Sequence, residues 1–181
     1  MTGSTGNPGS PAGRLNDPAT FLTAIQFALV ATISFTLAHL ISPYIPCSTE
    51  ESAMIGSLWA MISSILVTQD TRSLTIRTAW LQIFGAFLGA VFSAAYLTLF
   101  SFSIAGMGLV IGLVVFACIF LGFPGHIRLA AFNVGIVMVI SAINPTIPPD
   151  INAATRFTEV LIGSTVAVAV AWTWQDVLHI T

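Results

Sequence analysis

The stretch TAWLQIFGAFLGAVFSAAYLTLFSFSIAGMGLVIGLVVFACIFLGFPG, residues 78–125, holds no Asp, Glu, Lys, Arg or His in 48 positions. A transmembrane helix needs about 20 mostly apolar residues. The stretch therefore predicts two spans joined by a tight turn at Ser101-Phe102-Ser103. Further apolar runs long enough to span flank it on both sides. Over the whole chain 56% of residues are hydrophobic and 7% charged, against roughly 25% charged in a soluble domain. The fold expected is all-α: a polytopic membrane protein with six transmembrane helices.

The six spans are predicted at about 21–42, 52–68, 78–99, 104–121, 127–143 and 152–177. Their limits come from punctuation. Asp17 and Pro18 suit a helix cap and first turn, and Pro43 and Pro46 stop the first span. Glu50 and Glu51 suit a helix N-terminus, where the macrodipole favours negative charge. Gly122-Phe123-Pro124-Gly125 ends the fourth span and Asn144-Pro145 the fifth. Residues 1–17, rich in Gly, Ser, Thr and Pro, are expected to form a disordered N-terminal tail before a single membrane module over 18–181. No signal peptide is expected.

All five basic residues are arginines. Arg14, Arg72, Arg77 and Arg128 fall on one side of the predicted topology and Arg156 alone on the other. Basic loops stay in the cytoplasm, so both termini are expected there, in a bacterial inner membrane. Trp172 and Trp174 suit an interfacial anchor.

Small residues recur at helical spacing. Gly85 and Gly89 mark the third span, Gly108 and Gly112 the fourth, and Gly163 the sixth. Such faces let helix backbones approach closely in lipid. Plain helix packing explains them, and they identify no substrate. Arg77-Thr-Ala-Trp with Gly85 eight residues on resembles Arg156-Phe-Thr-Glu with Gly163 seven on. Three spans separate the two, so they would cross in opposite directions, as two inverted three-helix repeats would.

The few polar groups are the candidate functional residues. Arg77, Arg128 and Arg156 each open a predicted span. An arginine beside the free N–H groups of a helix N-terminus makes an anion site. The alternative for Arg77 and Arg128 is to anchor topology at phosphate headgroups. Arg156 lies on the less basic side and has Glu159 three residues on as an ion-pair partner. Glu159 is the one acid well inside a span. It is either that partner or a proton relay. His39 is either a proton-handling group or a structural hydrogen-bonding group. Asn133 and Gln82 can line a path or bridge helices. Cys47 and Cys118 lack metal-ligand spacing. Phosphate-binding loops, nucleophile elbows and zinc helices are missing, so no enzyme, cofactor, metal or nucleic-acid partner is expected.

The stretches ESAMIGSLWAMISSILVTQDTRSLTIRTAWLQIFGAFLGA (51–90) and ATRFTEVLIGSTVAVAVA (154–171) resemble the fusaric acid resistance-like (FUSC) and aromatic acid exporter family, related to the plant aluminium-activated malate transporters. The matching features are Arg77, Gly85 and Gly89, then Arg156, Glu159 and Gly163. The resemblance implies a six-helix module that moves organic anions, aromatic carboxylates among them. It implies a homodimer or other homo-oligomer in the bilayer. Many bacterial exporters of this type are far longer, whereas this chain carries one membrane module, which favours small subunits that assemble. Arg77, Arg128 and Arg156, with Asn133 and His39, would then bind the anion. The rival expectation is a membrane scaffold that moves nothing and uses its glycine faces to bind partner helices.

Overall fold

The computed structural model describes residues 18–46 and 49–178. The expected tail, Asp17 and Cys47 lie outside the described residues. Among the described residues six α-helices run α1 (Pro18–Ile41), α2 (Glu50–Val67), α3 (Arg72–Leu99), α4 (Ile104–Phe120), α5 (Ile127–Ile143) and α6 (Pro149–Leu178). Short 3₁₀ turns, Ser42–Tyr44 and Pro124–His126, follow α1 and precede α5.

Local chemistry sets the helix ends. Thr49 caps α2 by accepting from Ser52 N at 3.1 Å, and Ser103 caps α4 by accepting from Gly106 N at 3.0 Å. A serine or threonine oxygen in this position satisfies one of the free N–H groups of the first turn. At the end of α4, Gly122 has φ +77°. Phe123 N then donates to Cys118 O and Gly122 N to Ile119 O, the paired bonds that close a helix through a left-handed residue. Four helices, α1, α2, α3 and α6, begin earlier than the apolar runs predict. Thr71 caps α3, whose first residue Arg72 lies six residues ahead of the expected start at 78, and Pro149 opens α6 three residues ahead of 152. Helix caps are polar, so a boundary drawn where polarity stops falls inside the helix.

Among the described residues four helices have the length and composition of membrane spans: Thr20–Tyr44, Arg72–Leu99, Pro124–Ile143 and Pro149–Trp174, with mean hydropathies of 1.9, 1.6, 1.8 and 1.4. Ile104–Phe120 is a shorter apolar helix. The exposed surface carries rows of large apolar side chains, such as Leu29, Ile33, Leu37 and Leu40 on α1 and Leu109, Leu113, Phe116 and Phe120 on α4. Polar side chains are inside: Ser57, Ser63, Gln82, Asn133, Asn152, Arg156, Glu159 and Ser164. Apolar outside and polar inside is the arrangement lipid selects, because lipid tails solvate leucine and leave polar groups to find partners within the bundle. The chain is a multi-pass membrane protein.

Helix α6 forms the centre. It packs along α2 and α3, α5 packs along α3, and α1 and α4 lie outside. The α3–α6 register is antiparallel. Arg72 lies over Trp172 at one end, Ala79 shares a cluster with Ala167, and Ala86 shares one with Val160. Phe87 then meets Phe157 edge to face, with ring centroids 5.8 Å apart. Two glycines hold the seams together. A Cβ on Gly163 would strike Ala60 O and meet Ser63 Cβ and Ser64 N of α2; a Cβ on Gly89 would meet Ala130 O, Asn133 Cβ and Val134 N of α5 at 2.8–3.1 Å.

Candidate functional site

The charged centre of the bundle comes from one helix turn. On α6, Arg156 and Glu159 are three residues apart and therefore share a face. Arg156 Nη1 lies 2.9 Å from Glu159 Oε2. The two residues are 2% and 4% exposed, which is rare for charged groups unless they are paired. The neighbouring helix makes the space: a Cβ at Gly56 of α2 would overlap the Glu159 carboxylate, so a larger residue there would displace it. Arg156 Nε has no acceptor among the described residues, which leaves donor capacity in the site.

A cavity of about 10 Å³, room for a single water, reaches this pair from the end of the bundle formed by Ser42, Pro46 and Ile147. Asn152, one turn ahead of Arg156, also lines it. Its Nδ2 donates to Val137 O and to Ser141 Oγ, both at 2.9 Å, and so fixes the start of α6 against α5. Beyond the pair, Trp59, Ala86 and Val160 form an apolar layer, with Phe157 packed on it. The arrangement is a narrow entry, a paired positive and negative charge, and an apolar floor. A guanidinium in such a setting can hold a carboxylate in two-pronged geometry once its own partner is neutralised or displaced.

The other expected site residues do not join this centre. Arg77 is exposed and sits in the second turn of α3, because that helix begins at Arg72. Arg156 is two turns into α6. Neither occupies the helix N-terminus assigned to it, and only Arg128, the second residue of α5 and exposed, does. In the α3–α6 register Arg156 is level with about residue 90 of α3, so Arg77 stands about 20 Å from it along the axis at 1.5 Å per residue. Arg77 and Arg156 therefore do not meet within one chain, and Arg128 is exposed while Arg156 is buried. His39 is exposed on α1 and stacks on Phe35 at 6.3 Å. Asn133 is buried, with its Nδ2 donating to Leu129 O at 2.7 Å. It serves the α3–α5 seam. Gly85, Gly89 and Gly163 are close-approach positions as expected, whereas a Cβ at Gly108 or Gly112 would meet nothing within 4 Å. Those two face outward on α4, and their expected packing role is not met inside this chain.

Two contributors escaped the sequence. Gly56 was one of several small residues on α2, and nothing in its spacing says that a carboxylate from α6 lies against it. Asn152 read as a span boundary, although an asparagine beside a predicted helix start is itself a polar-contact signal.

No curated protein and no solved structure matches the chain. The family described as fusaric acid resistance protein-like matches residues 52–170, about two thirds of the sequence. The matched segment runs from α2 through α6 and contains both glycine seams and the Arg156–Glu159 pair. With the inside-out bundle already described, that match identifies this chain as a multi-pass member, with a role in membrane transport, of the fusaric acid resistance protein-like family.

Proposed function

We propose that the chain moves small organic anions, aromatic carboxylates among them, across a bacterial inner membrane through the interior that holds Arg156. The observation that carries this reading is the buried Arg156–Glu159 pair at the foot of a water-sized cavity. An intramembrane ion pair is costly to keep, and its usual return is a charge offered to a passing ligand. An arriving carboxylate competes with Glu159 for the guanidinium, and a proton on Glu159 would tip that competition. Arg77 and Arg128, exposed toward the other end, attract anions or anchor topology there.

The reading includes six spans with both termini in the cytoplasm, residues 18–181 as one module, and a homodimer. It also includes two inverted three-helix repeats, supported by the matching surroundings of Gly89 and Gly163. Aligning those two glycines moves the repeat register away from the Arg77–Arg156 pairing. Gln82 then corresponds to Arg156, and Gly85 to Glu159.

The test is flux of malate and 4-hydroxybenzoate into liposomes holding the purified protein, with and without a pH gradient. Arg156→Gln alone would strand a buried carboxylate, so the variant to compare is Arg156→Gln with Glu159→Gln. Lost flux from a folded double variant supports the site, and unchanged flux removes it. Flux that needs the gradient makes Glu159 a relay, and flux without one makes a channel or uniporter. A scaffold is the second reading, favoured by the unpartnered Gly108–Gly112 face of α4. A stoichiometric partner at purification, with no flux of either anion, would establish it.

A further inference from the structure

Where α2, α3 and α6 meet, the interior is layered. Trp59, Ala86 and Val160 make one apolar layer, and Val67, Ala79 and Ala167 make another. One helical turn separates the layers from what lies between them: residue 63 on α2, 82 on α3 and 164 on α6. These are Ser63, Gln82 and Ser164, each with no exposed surface. The register that sets Ala79 by Ala167 and Ala86 by Val160 sets Gln82 across from Ser164. Ser63 is beside Gly163, within 3.0 Å of where that residue's Cβ would be.

Ser63 Oγ, Ser164 Oγ and both polar atoms of Gln82 have no hydrogen-bond partner among the described residues. Hydroxyls in helices ordinarily donate back to their own backbone. In this bundle Ser57, Ser64, Thr68, Thr155 and Thr158 all do so. Ser63 and Ser164 do not, nor do Ser34 and Ser93, which are buried singly elsewhere. A buried polar group left unpaired is expensive, and an orphaned serine, serine and glutamine at one level of three packed helices call for a ligand.

We propose that Ser63, Gln82 and Ser164 form a second, uncharged binding station for the carboxylate of the transported anion, one apolar layer beyond Arg156. The proposal rests on the transport reading above. The two hydroxyls and the Gln82 amide donate to the carboxylate oxygens, and no fixed positive charge retains it. The station is about 12 Å from Arg156 along α6, eight residues at 1.5 Å each. Conduction requires sites weak enough to leave as well as favourable enough to enter. A neutral station after a charged one has that character. Trp59 stands between them with its Nε1 also unpartnered.

The experiment uses the full chain in liposomes, after 4-hydroxybenzoate flux has been seen in the parent protein. Absence of flux there overturns the transport reading, and this proposal with it, before any variant is made. With parent flux present, Gln82→Leu is expected to lower flux at least tenfold while the melting temperature holds or rises, since an unpaired amide is replaced by an apolar group of similar size. A merely structural Gln82 would lower both. Ser164→Cys is expected to react with a small anionic methanethiosulfonate faster than the parent chain does, and 4-hydroxybenzoate should slow that reaction about tenfold. Parent-like flux in Gln82→Leu overturns the proposal. So does a Ser164→Cys protein that is labelled no faster than the parent. Labelling that the anion does not slow means a site for water only, and overturns it too. Should Gln82→Leu fail to fold, the Ser164→Cys measurement decides.

Discussion

The α2–α6 and α3–α5 seams are built by the same device and hold different chemistry. In each, a glycine on the longer helix lies against a carbonyl and the residues three and four positions on in the shorter helix: Gly163 against Ala60, Ser63 and Ser64, Gly89 against Ala130, Asn133 and Val134. One turn earlier they part. Ahead of Gly163 stands Glu159, ion-paired and set against Gly56; ahead of Gly89 stands Gly85, whose missing Cβ leaves room for Ala130 N, Leu129 Cβ and His126 O. The close approach at both seams is therefore built by the same glycine device, and the charge is an addition carried by one seam. Packing and function can be separated by mutation.

The largest effect is expected at Gly163→Val. Its added carbon would run into the Ala60 backbone carbonyl, which cannot move aside without shifting α2. Overpacking of this kind costs about 3 kcal/mol or more, and the fraction of monodisperse protein after detergent extraction should collapse. Arg156→Gln comes next, at about 3–5 kcal/mol, because it leaves a buried carboxylate unpaired. Replacing both partners with apolar residues, Arg156→Met with Glu159→Leu, should restore the melting temperature but not flux. That pairing is the sharpest test that the charge is dispensable to the seam.

Gly89→Ala is milder, at about 1–3 kcal/mol, since its Cβ would sit 2.8 Å from Ala130 O and Asn133 Cβ. It should lower the melting temperature without changing substrate preference. An outcome as severe as Gly163→Val would mean that the two seams are less alike than their contacts. Smallest is Gly108→Ala. With open space at that position, alanine should stabilise α4 by about 0.5–1 kcal/mol through its better helix propensity. A smaller assembly on size-exclusion chromatography would instead show that a second chain seats on that face.

The helices were legible because lipid demands long apolar runs, and every predicted span has a helix at its centre. The Arg156–Glu159 pair was legible too, since three residues on a helix fix a shared face. What was hidden depends on how helices meet. Gly89 and Gly112 look alike in sequence, yet one presses on Ala130 and the other faces outward. Arg77 looked like a helix start because polarity ends there, while Thr71 supplies the cap. Arg and Gly spacing paired Gly85 with Gly163, whereas the contacts across the seams make Gly89 the counterpart of Gly163. Inter-helix register is not written in any single segment. Gly56 opposite Glu159 and Gln82 opposite Ser164 became visible only with the bundle assembled.

The helices also differ in length, and that has a consequence for the lipid around them. Helix α3 has 28 residues and α4 has 17, about 42 Å and 26 Å at 1.5 Å per residue. A hydrocarbon core is about 30 Å thick. On the six-span reading, α3 tilts or projects while α4 and α5, each of 17 residues, fall short, so the bilayer thins on the side where those two helices pack together. The protein then carries a lopsided hydrophobic mismatch, and lipids with shorter acyl chains should hold it more firmly than long ones.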